Sequence, residues 1–323
     1  MTLRSHIPTL TLLGLGALLG GANTASADSR TDPKPIPAQA VDGFSKDNKP
    51  TPYILDLQGN PTKWMTGDKY RPQPPRAEKP AIQVIPPPAG ADILFDGTES
   101  SRDAAWVPIK SRKSPPKPWN VEKYKDADGG PEYGVLIGTA QSIHTKKSYG
   151  DAKLHIEWRV PKSRSGSGQG GTNSGVLFGD GKYEIQVLDS FNNFTYPDGM
   201  AGAIYSQFPP KFNASLPKGE WQSYDITFTA PRFDDEGNTT KRARFTVVFN
   251  GVLVQDDQEL IGDSSYRGSS LFPTKKLKED KAARHGHNLL SPHPSRLPLY
   301  IQFHGDPIQF RNIWIVDLEK DAK

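Results

Sequence analysis

Short segments of alternating apolar and polar residues, separated by turns rich in Gly, Asp, Asn and Pro, follow one another from Ala91 onward. No window shows a helical period, and 30 Gly with 30 Pro in 323 residues disfavour long helices. Many antiparallel strands over such a length predict an all-β fold, a two-sheet antiparallel jelly-roll sandwich spanning residues 91–323. The clearest predicted strands are 154–160, 175–178, 183–188, 222–229, 245–249, 300–303 and 312–316.

Residues 28–90 have a different composition from the predicted sandwich. They contain thirteen prolines and few large apolar side chains. A segment of this kind cannot bury enough apolar surface to fold alone. We therefore expect an extended Pro-rich arm or linker, more a plain spacer than a segment laid on the domain through Tyr53-Ile54-Leu55 and Trp64.

The first 27 residues have the features of a secretory signal peptide. Arg4 precedes an apolar run from Leu10 to Leu19, and Ala25-Ser26-Ala27 is an A-x-A cleavage site. The run is too short to span a bilayer, and no later stretch is apolar and long enough to do so. We expect a secreted or periplasmic protein without a membrane span. The chain has no cysteine, which excludes disulfides, cysteine nucleophiles and thiolate zinc sites.

The charge pattern disfavours nucleic acid as a partner. The formal net charge is +4, and the densest basic cluster, Lys275 to Lys278, is followed at once by Glu279 and Asp280. Binding to a phosphate backbone requires a basic stripe, which this sequence lacks.

Three predicted strands each carry polar side chains on the face opposite their apolar row, because strand side chains alternate between two faces. An ordinary solvated surface is one interpretation of such rows. A surface strand usually carries Lys, Thr and Ser, however, whereas these rows consist of His, Glu, Arg, Gln and Tyr. Side chains of these five types bind sugars and transfer protons, so we favour a functional face. The polar rows are His155, Glu157 and Arg159, then Glu184 and Gln186, and then Tyr300, Gln302 and His304.

The glycine-rich stretch Gly166 to Gly171 matches G-x-G-x-x-G. A dinucleotide site of that pattern needs a strand before it and a helix after it. Here a further predicted strand follows, so we interpret the stretch as a flexible loop.

The segment from Glu184 to Asp189 resembles the E-x-D-x-x-E layout of laminarinase-like β-glucanases, which are jelly rolls. A spacing of five residues places two side chains on opposite faces unless a β-bulge restores them to one face. Gln186 replaces the central acid of that layout and Asp189 replaces its acid/base Glu. A retaining glycosidase needs its two carboxyl groups about 5–5.5 Å apart.

A series of motifs between residues 91 and 318 resembles the bacterial 3-keto-disaccharide hydrolase family, and nine of them in order are specific. The resemblance implies a concanavalin-like jelly roll related to the β-glucanases, acting on glycosides whose sugar carries a ketone at C3. The motifs are ILFDG (93–97), SYGDAKLHIEWRVP (148–161), NSGVLF (173–178), YEIQVLDS (183–190), GAIYSQ (202–207), NAS (213–215), GEWQSYDI (219–226), FNGVLVQD (249–256) and HGDPIQFRNIWI (304–315).

The chemistry implied by this resemblance begins at the ketone, which acidifies the C2 proton. A base removes that proton, the C1 substituent leaves by elimination, and water adds across the new double bond. Such a site needs proton carriers and donors that stabilise an oxyanion. A divalent cation held by His155 or His304 with the glutamates would serve the same end, and we leave this open. The candidate catalytic residues are Glu157, Glu184, Asp189 and His304, and the candidate substrate-binding residues are His155, Arg159, Gln186, Tyr205 and Gln302.

Two other functions compete with this one. A conventional glycosidase would cleave β-glucans without prior oxidation of the sugar. A carbohydrate-binding module would use the same polar face without turnover, but such modules usually display exposed aromatic platforms. Trp158 falls on the apolar face and the predicted site is acidic, which favours catalysis.

Overall fold

The computed structural model describes residues 53–55, 61–110, 115–126, 129–264, 270–271 and 292–319. The expected signal peptide, residues 1–27, lies outside this described part. Among the described residues, no helix has the length and apolar character needed to cross a membrane.

The described chain is almost entirely β-structure, as the alternation predicts. One helix is assigned, α1 (Glu99–Ala105). The strands are β1 (Tyr53–Leu55), β2 (Pro61–Met65), β3 (Asp92–Phe95), β4 (Trp106–Pro108), β5 (Asn120–Tyr124), β6 (Tyr133–Ile137), β7 (Ile143–Tyr149), β8 (Ala152–Arg159), β9 (Asn173–Phe178), β10 (Tyr183–Leu188), β11 (Gln222–Thr229), β12 (Arg232–Phe233), β13 (Thr239–Lys241), β14 (Arg244–Phe249), β15 (Val252–Glu259), β16 (Gly262–Asp263), β17 (Ser270–Leu271), β18 (Leu297–Ile301) and β19 (Gln309–Asp317).

Two antiparallel sheets form the sandwich, and the predicted fold class is confirmed. The smaller sheet has the strand order β10-β9-β18-β7-β4. The larger has eight strands, in the order β15-β14-β11-β8-β19-β6-β5 with β3 paired to β19. Consecutive strands of the chain pass from one sheet to the other: β8 lies in the larger sheet, whereas β9 and β10 lie in the smaller one.

The core fills the space between the two sheets with aromatic and branched side chains. The rings of Phe178 in β9 and Phe228 in β11 pack at a tilt with centroids 4.6 Å apart, and the ring of Tyr183 in β10 lies 5.8 Å from that of Phe228. The hydroxyl of buried Tyr224 in β11 donates to the backbone carbonyl of Gln186 in β10 at 2.7 Å. Burial of each large side chain contributes about 1.5–3 kcal/mol. This packing fixes which face of each strand is turned outward.

Helix α1 was not expected from the sequence. Thr98 caps its first turn, with the hydroxyl accepting from the backbone N–H of Ser101 at 3.1 Å. The helix has only seven residues, too few for a helical period to appear in the sequence.

Part of the Pro-rich arm lies along the sandwich. The amide of Ala77 donates to the carbonyl of Asn213 at 3.0 Å, and that of Ala81 donates to the carbonyl of Asn250 at 2.9 Å. Nearer the N-terminus of the arm, β1 and β2 pair as a small antiparallel sheet. These hydrogen bonds belong to the described portion of the arm, residues 53–55 and 61–90.

Candidate active site

A polar cleft of about 310 Å³ opens on the outer face of the smaller sheet. Its walls come from β9, β10 and the chain that follows β18. Its volume falls at the lower end of the range typical of small-molecule sites. The side chains and backbone that line it are those of Asn173, Leu177, Gly181, Glu184, Gln186, Tyr205, Ser264, Gln302 and His304.

Strand alternation explains why these residues meet. Tyr183, Ile185 and Val187 of β10 are buried in the core, so Glu184 and Gln186 point outward into the cleft. The backbone N–H of Gln302 donates to the carbonyl of Gly175 at 2.9 Å, which extends the sheet beyond β18. The residues after β18 therefore enter the cleft beside β9.

Gly175 in β9 leaves room for the Glu184 carboxylate. A Cβ atom at this position would lie 2.3 Å from Oε1 and 2.9 Å from Cδ of Glu184. Real Cβ atoms do not approach so closely, so any other residue here would displace the acid. The glycine of the NSGVLF motif thus leaves the space that the Glu184 carboxyl group occupies.

Glu184 is a buried acid at the floor of the cleft. Glu184 is 7% exposed. Burial raises the pKa of its carboxyl group to about 8 because the charged form is poorly solvated. At neutral pH the carboxyl group is therefore mostly protonated and can donate a proton. Oε1 lies 3.1 Å from one terminal atom of the Gln186 side-chain amide.

An irregular segment after residue 200 pairs with β10 and brings Tyr205 to the acid. The backbone N–H of Tyr205 donates to the carbonyl of Glu184 at 3.0 Å. The hydroxyl groups of Tyr205 and Tyr196 are 2.8 Å apart and hydrogen bonded. Ser206 follows with a φ of 62°, a left-handed conformation that turns the chain at this point.

His304 stands at the exposed rim of the cleft. It lies just beyond β18 in a loop that Asp306 ties down. The Asp306 carboxylate accepts the backbone N–H of Asn173 at 3.0 Å and forms an ion pair with Arg164. The loop thus carries the His304 imidazole at the rim of the cleft, and an imidazole is a group suited to accepting a proton.

Three predicted site residues lie elsewhere, on the outer face of the larger sheet. His155, Glu157 and Arg159 do form one outward row of β8, as the alternation indicates. Because β8 belongs to the larger sheet, that row points away from Glu184, with the core between them. The interpretation of the three polar rows as one functional face is therefore wrong.

The β8 row forms a closed network of charges. Nδ1 of His155 donates to Asp225 at 2.7 Å, and Nε of Arg311 donates to Glu157 at 2.6 Å. Burial lowers the pKa of His155, but hydrogen bonds to Asp225 and Glu157 outweigh this effect and raise it. Burial raises the pKa of Glu157, but its partners, led by His155, outweigh this effect and lower it.

The face that carries this network is covered by aromatic groups and by the arm. The guanidinium groups of Arg159 and Arg311 lie 4.4 and 4.2 Å from the Trp221 ring. Nε1 of Trp314 donates to the carbonyl of Ile85 in the arm at 2.9 Å. Glu157 also lines a groove of about 800 Å³ beside the arm, with mostly apolar walls. The network can stabilise the sheet and hold the arm.

Asp189 is also outside the cleft. The pairing of β10 with β9 is regular from Tyr183 to Leu188, so the β-bulge expected from the glucanase-like spacing does not form. Without a bulge, residues five apart point to opposite faces. Asp189 instead forms an ion pair with Lys218, with 3.0 Å between Oδ2 and Nζ.

The sequence interpretation missed Asn173, Leu177, Gly181 and Ser264 as lining residues. Asn173 and Leu177 share the outward face of β9 with Gly175, and applying alternation to the NSGVLF motif would have identified them. Ser264 carried no such signal. It accepts the backbone N–H of Glu184 at 3.1 Å from a part of the chain with little regular structure.

The glutamates and histidines considered for a divalent cation are divided between the two sheets. His155 lies beside Glu157, whereas His304 and Glu184 line the cleft. Within the residues that the structure describes, no group of three or more His, Asp or Glu side chains is arranged to hold a metal ion.

The amino-acid sequence of residues 90–316 matches the family described as 3-keto-alpha-glucoside-1,2-lyase-like domain. The chain belongs to this family. The match covers the sandwich and confirms the resemblance drawn from the nine motifs. Family membership makes this a domain of the glycoside-acting class.

One of the similar solved structures, at 34% identity, agrees with the family. A candidate glycosyl hydrolase from Parabacteroides distasonis is 34% identical, with 77% of this chain and 94% of that chain covered and a TM-score of 0.58. A second from the same organism is 24% identical, with 57% and 87% covered and a TM-score of 0.37. A third is 19% identical, with 71% and 94% covered and a TM-score of 0.42. No curated protein matches the chain.

Proposed function

We propose that this 3-keto-alpha-glucoside-1,2-lyase-like domain cleaves 3-keto-disaccharides or related 3-keto-glycosides at the cleft of the smaller sheet. The observation that carries the proposal is Glu184, a buried carboxyl whose pKa of about 8 keeps it protonated at neutral pH. It lies in a polar cleft that also contains an imidazole and several amides. This combination suits proton transfer to and from a sugar.

The reaction divides into elimination and hydration, without any change of oxidation state. A base takes the proton from C2, which the neighbouring ketone at C3 acidifies, and the electron pair is held as an enediolate. The C1–O bond then breaks, and the departing oxygen takes up a proton. Addition of water, with its hydroxyl at C1 and its proton at C2, gives the free 3-keto sugar.

The cleft residues divide naturally between these steps. His304, at the exposed rim, is the base in our proposal, and protonated Glu184 is the acid for the departing oxygen. Gln302 and Tyr205 donate hydrogen bonds to the enediolate, and Gln186 donates to the ring hydroxyls. Glu157 and Asp189 receive no role in proton transfer, because neither lines the cleft.

A conventional glycosidase mechanism has less support. It needs two carboxyl groups flanking the glycosidic bond, about 5–5.5 Å apart for retention or about 6.5–9.5 Å for inversion. Among the described lining residues of the cleft, Glu184 is the single carboxyl side chain. A binding module also has less support, because Tyr205 and His304 are the aromatic rings in that lining, in place of a Trp platform.

The decisive experiment compares an oxidised and an unoxidised sugar. The mature protein is incubated with a 3-keto-disaccharide and with its unoxidised parent, with and without a chelator, and with Glu184→Gln as the control protein. Cleavage of the keto form alone supports the proposal, and loss of cleavage with chelator identifies a required metal. Cleavage of the parent sugar would instead assign a conventional glycosidase, and retention without cleavage a binding module.

We also propose that the domain works in the periplasm or outside the cell, because residues 1–27 have the pattern of a secretory signal. Mass spectrometry of the protein recovered from the periplasm or medium should give a mature N-terminus at Asp28. Recovery of an uncleaved chain from the cytoplasm alone would contradict this.

A further inference from the structure

The glycine-rich loop before β9 places an amide behind the cleft. Gln169 lies in a short 3-10 turn, Gly168–Gly170. The turn is clamped by Asn193, whose Oδ1 accepts the backbone N–H of Gly168 at 2.6 Å and whose Nδ2 donates to its carbonyl at 2.9 Å. The glycine-rich loop was expected to be flexible, but the hydrogen bonds with Asn193 hold it in place.

The amide group of Gln169 has a defined orientation. Its Nε2 donates to the backbone carbonyl of Gly199 at 2.8 Å and to the hydroxyl of Thr195 at 3.0 Å. A backbone carbonyl can only accept, so the nitrogen must point toward Gly199. A Cβ atom at Gly199 would lie 2.9 Å from this nitrogen, so the contact depends on glycine there. The side-chain oxygen of Gln169 is left facing the side chains of Asn173 and Gln186.

Two residues that line the cleft donate to that oxygen. Nε2 of Gln186 is 2.9 Å from Oε1 of Gln169, and Nδ2 of Asn173 is 3.2 Å from it. Both donors come from neighbouring strands of the smaller sheet. One acceptor behind the cleft therefore sets the direction of two amides at its surface.

In this orientation the side-chain oxygen of Gln186 lies close to two other oxygen atoms. With its nitrogen directed at Gln169, the Gln186 amide places Oε1 3.1 Å from Oε1 of Glu184 and 2.8 Å from the carbonyl of Ser174. The reversed amide would satisfy both groups, but its oxygen would then face Oε1 of Gln169. A protonated Glu184 can donate to the Gln186 oxygen, which relieves the contact with Glu184 but leaves the one with the Ser174 carbonyl. The orientation set by Gln169 is thus consistent with a neutral acid in the cleft.

We propose that Gln169 is a positioning residue of this cleft: its side-chain oxygen holds the amides of Asn173 and Gln186 in the direction in which they meet the sugar hydroxyls. This inference rests on the proposed function, because it takes a sugar as the molecule that the cleft binds. Gln169 does not line the cleft itself and is not assigned a contact with substrate.

The test uses three variants of the mature protein: Gln169→Leu, Gln169→Glu and, as a matched control, Gln309→Leu. Leu removes both the acceptor and the donor to Gly199, whereas the protonated form of Glu keeps an oxygen facing Asn173 and Gln186 and a hydroxyl that can donate to the Gly199 carbonyl. Gln309 is buried on the outer face of the larger sheet, where it accepts from Arg159 at 2.7 Å and donates to Tyr124 at 2.7 Å. Its loss therefore removes similar hydrogen bonds far from the cleft. KM, kcat and Tm are measured with a 3-keto-disaccharide.

We expect Gln169→Leu to raise KM about 5- to 30-fold, the range for lost hydrogen bonds of this strength, while kcat changes less than about twofold. Gln169→Glu should recover most of the KM, and Gln309→Leu should lower Tm without changing KM. An unchanged KM in Gln169→Leu, an equal rise in Gln309→Leu, or an effect on kcat or Tm alone would overturn the inference.

The outcome for the wild type separates this inference from the proposed function. If the wild type binds the keto sugar without cleaving it, the proposed reaction is wrong, and the same three variants are compared by Kd instead, with the same expected pattern. A wild type that neither cleaves nor binds the sugar would overturn both.

Discussion

The carboxylate of Glu184 lies over the backbone of Gly175 in the neighbouring strand, at a point where a Cβ atom would come within 2.3 Å of Oε1. The acid of the cleft and the glycine of β9 therefore form one structural unit. The buried position of Glu184, and hence its raised pKa, depends on that missing side chain.

The first prediction concerns this glycine. Gly175→Ala should displace the Glu184 carboxyl and lower kcat by about 10²-fold, the effect expected for misplacing a reacting group by about 1 Å. Gly170→Ala is the control, because a Cβ atom there meets nothing within 4 Å. Steady-state kinetics on a 3-keto-disaccharide measure both variants, and wild-type kcat in Gly175→Ala would show that the close approach is unimportant for turnover.

The second prediction is the alkaline limit of activity. Glu184 must be protonated to act as the acid, and its pKa is about 8. We expect kcat/KM to decline with rising pH above about that value, since the profile reports the free enzyme's ionisations. The residual activity of Glu184→Gln, lower by about 10²–10⁴-fold, should lack this limb. A wild-type profile that stays level to pH 10 would count against Glu184 as the acid.

The third prediction concerns stability and pH. The folded protein holds the Glu184 proton more tightly than the unfolded chain, because burial raises the pKa from 4.5 to about 8. The stabilising contribution is therefore complete below about pH 4.5 and is lost as pH rises through about 8. The Tm of the wild type minus the Tm of Glu184→Gln should therefore decrease as pH rises across this interval. Tm curves that stay parallel for the two proteins would contradict the raised pKa.

The fourth prediction separates Glu157 from catalysis. Glu157→Gln breaks the pair with Arg311, whose side chain is 19% exposed, against 0% for Glu157. We expect a loss of about 2 kcal/mol in the free energy of unfolding, less than for a fully buried pair, with kcat/KM unchanged. Denaturant unfolding and kinetics measure the two quantities. A large fall in kcat/KM with unchanged stability would return Glu157 to the catalytic candidates.

The fifth prediction applies the same distinction to Asp189. Its ion pair with Lys218 is partly exposed, so Asp189→Asn should cost less than about 1 kcal/mol of stability and leave kcat/KM unchanged. Lys218→Met should have a similar effect, and the double variant should be no less stable than the sum of the two predicts. Loss of activity in Asp189→Asn alone would revive the glucanase-like interpretation.

The sequence by itself located seven of the nineteen strands assigned in the described residues, and it determined which of their side chains turn outward. Segments 183–188 and 222–229 were predicted with the bounds that β10 and β11 have. Alternation is a local consequence of extended backbone geometry, so it can be read from consecutive residues. For the same reason Glu184 and Gln186 were correctly placed on one outward face.

Only the tertiary structure decided which outward faces meet. Glu157 and Glu184 have equivalent sequence patterns, but β8 pairs with β11 and β19, whereas β10 pairs with β9. Strand pairing joins residues far apart in the chain and depends on how the two sheets bury their apolar faces together, which alternation within one strand does not encode. The regular β10 ladder that separates Asp189 from Glu184, and the held loop that brings Gln169 behind the cleft, follow from these same long-range contacts.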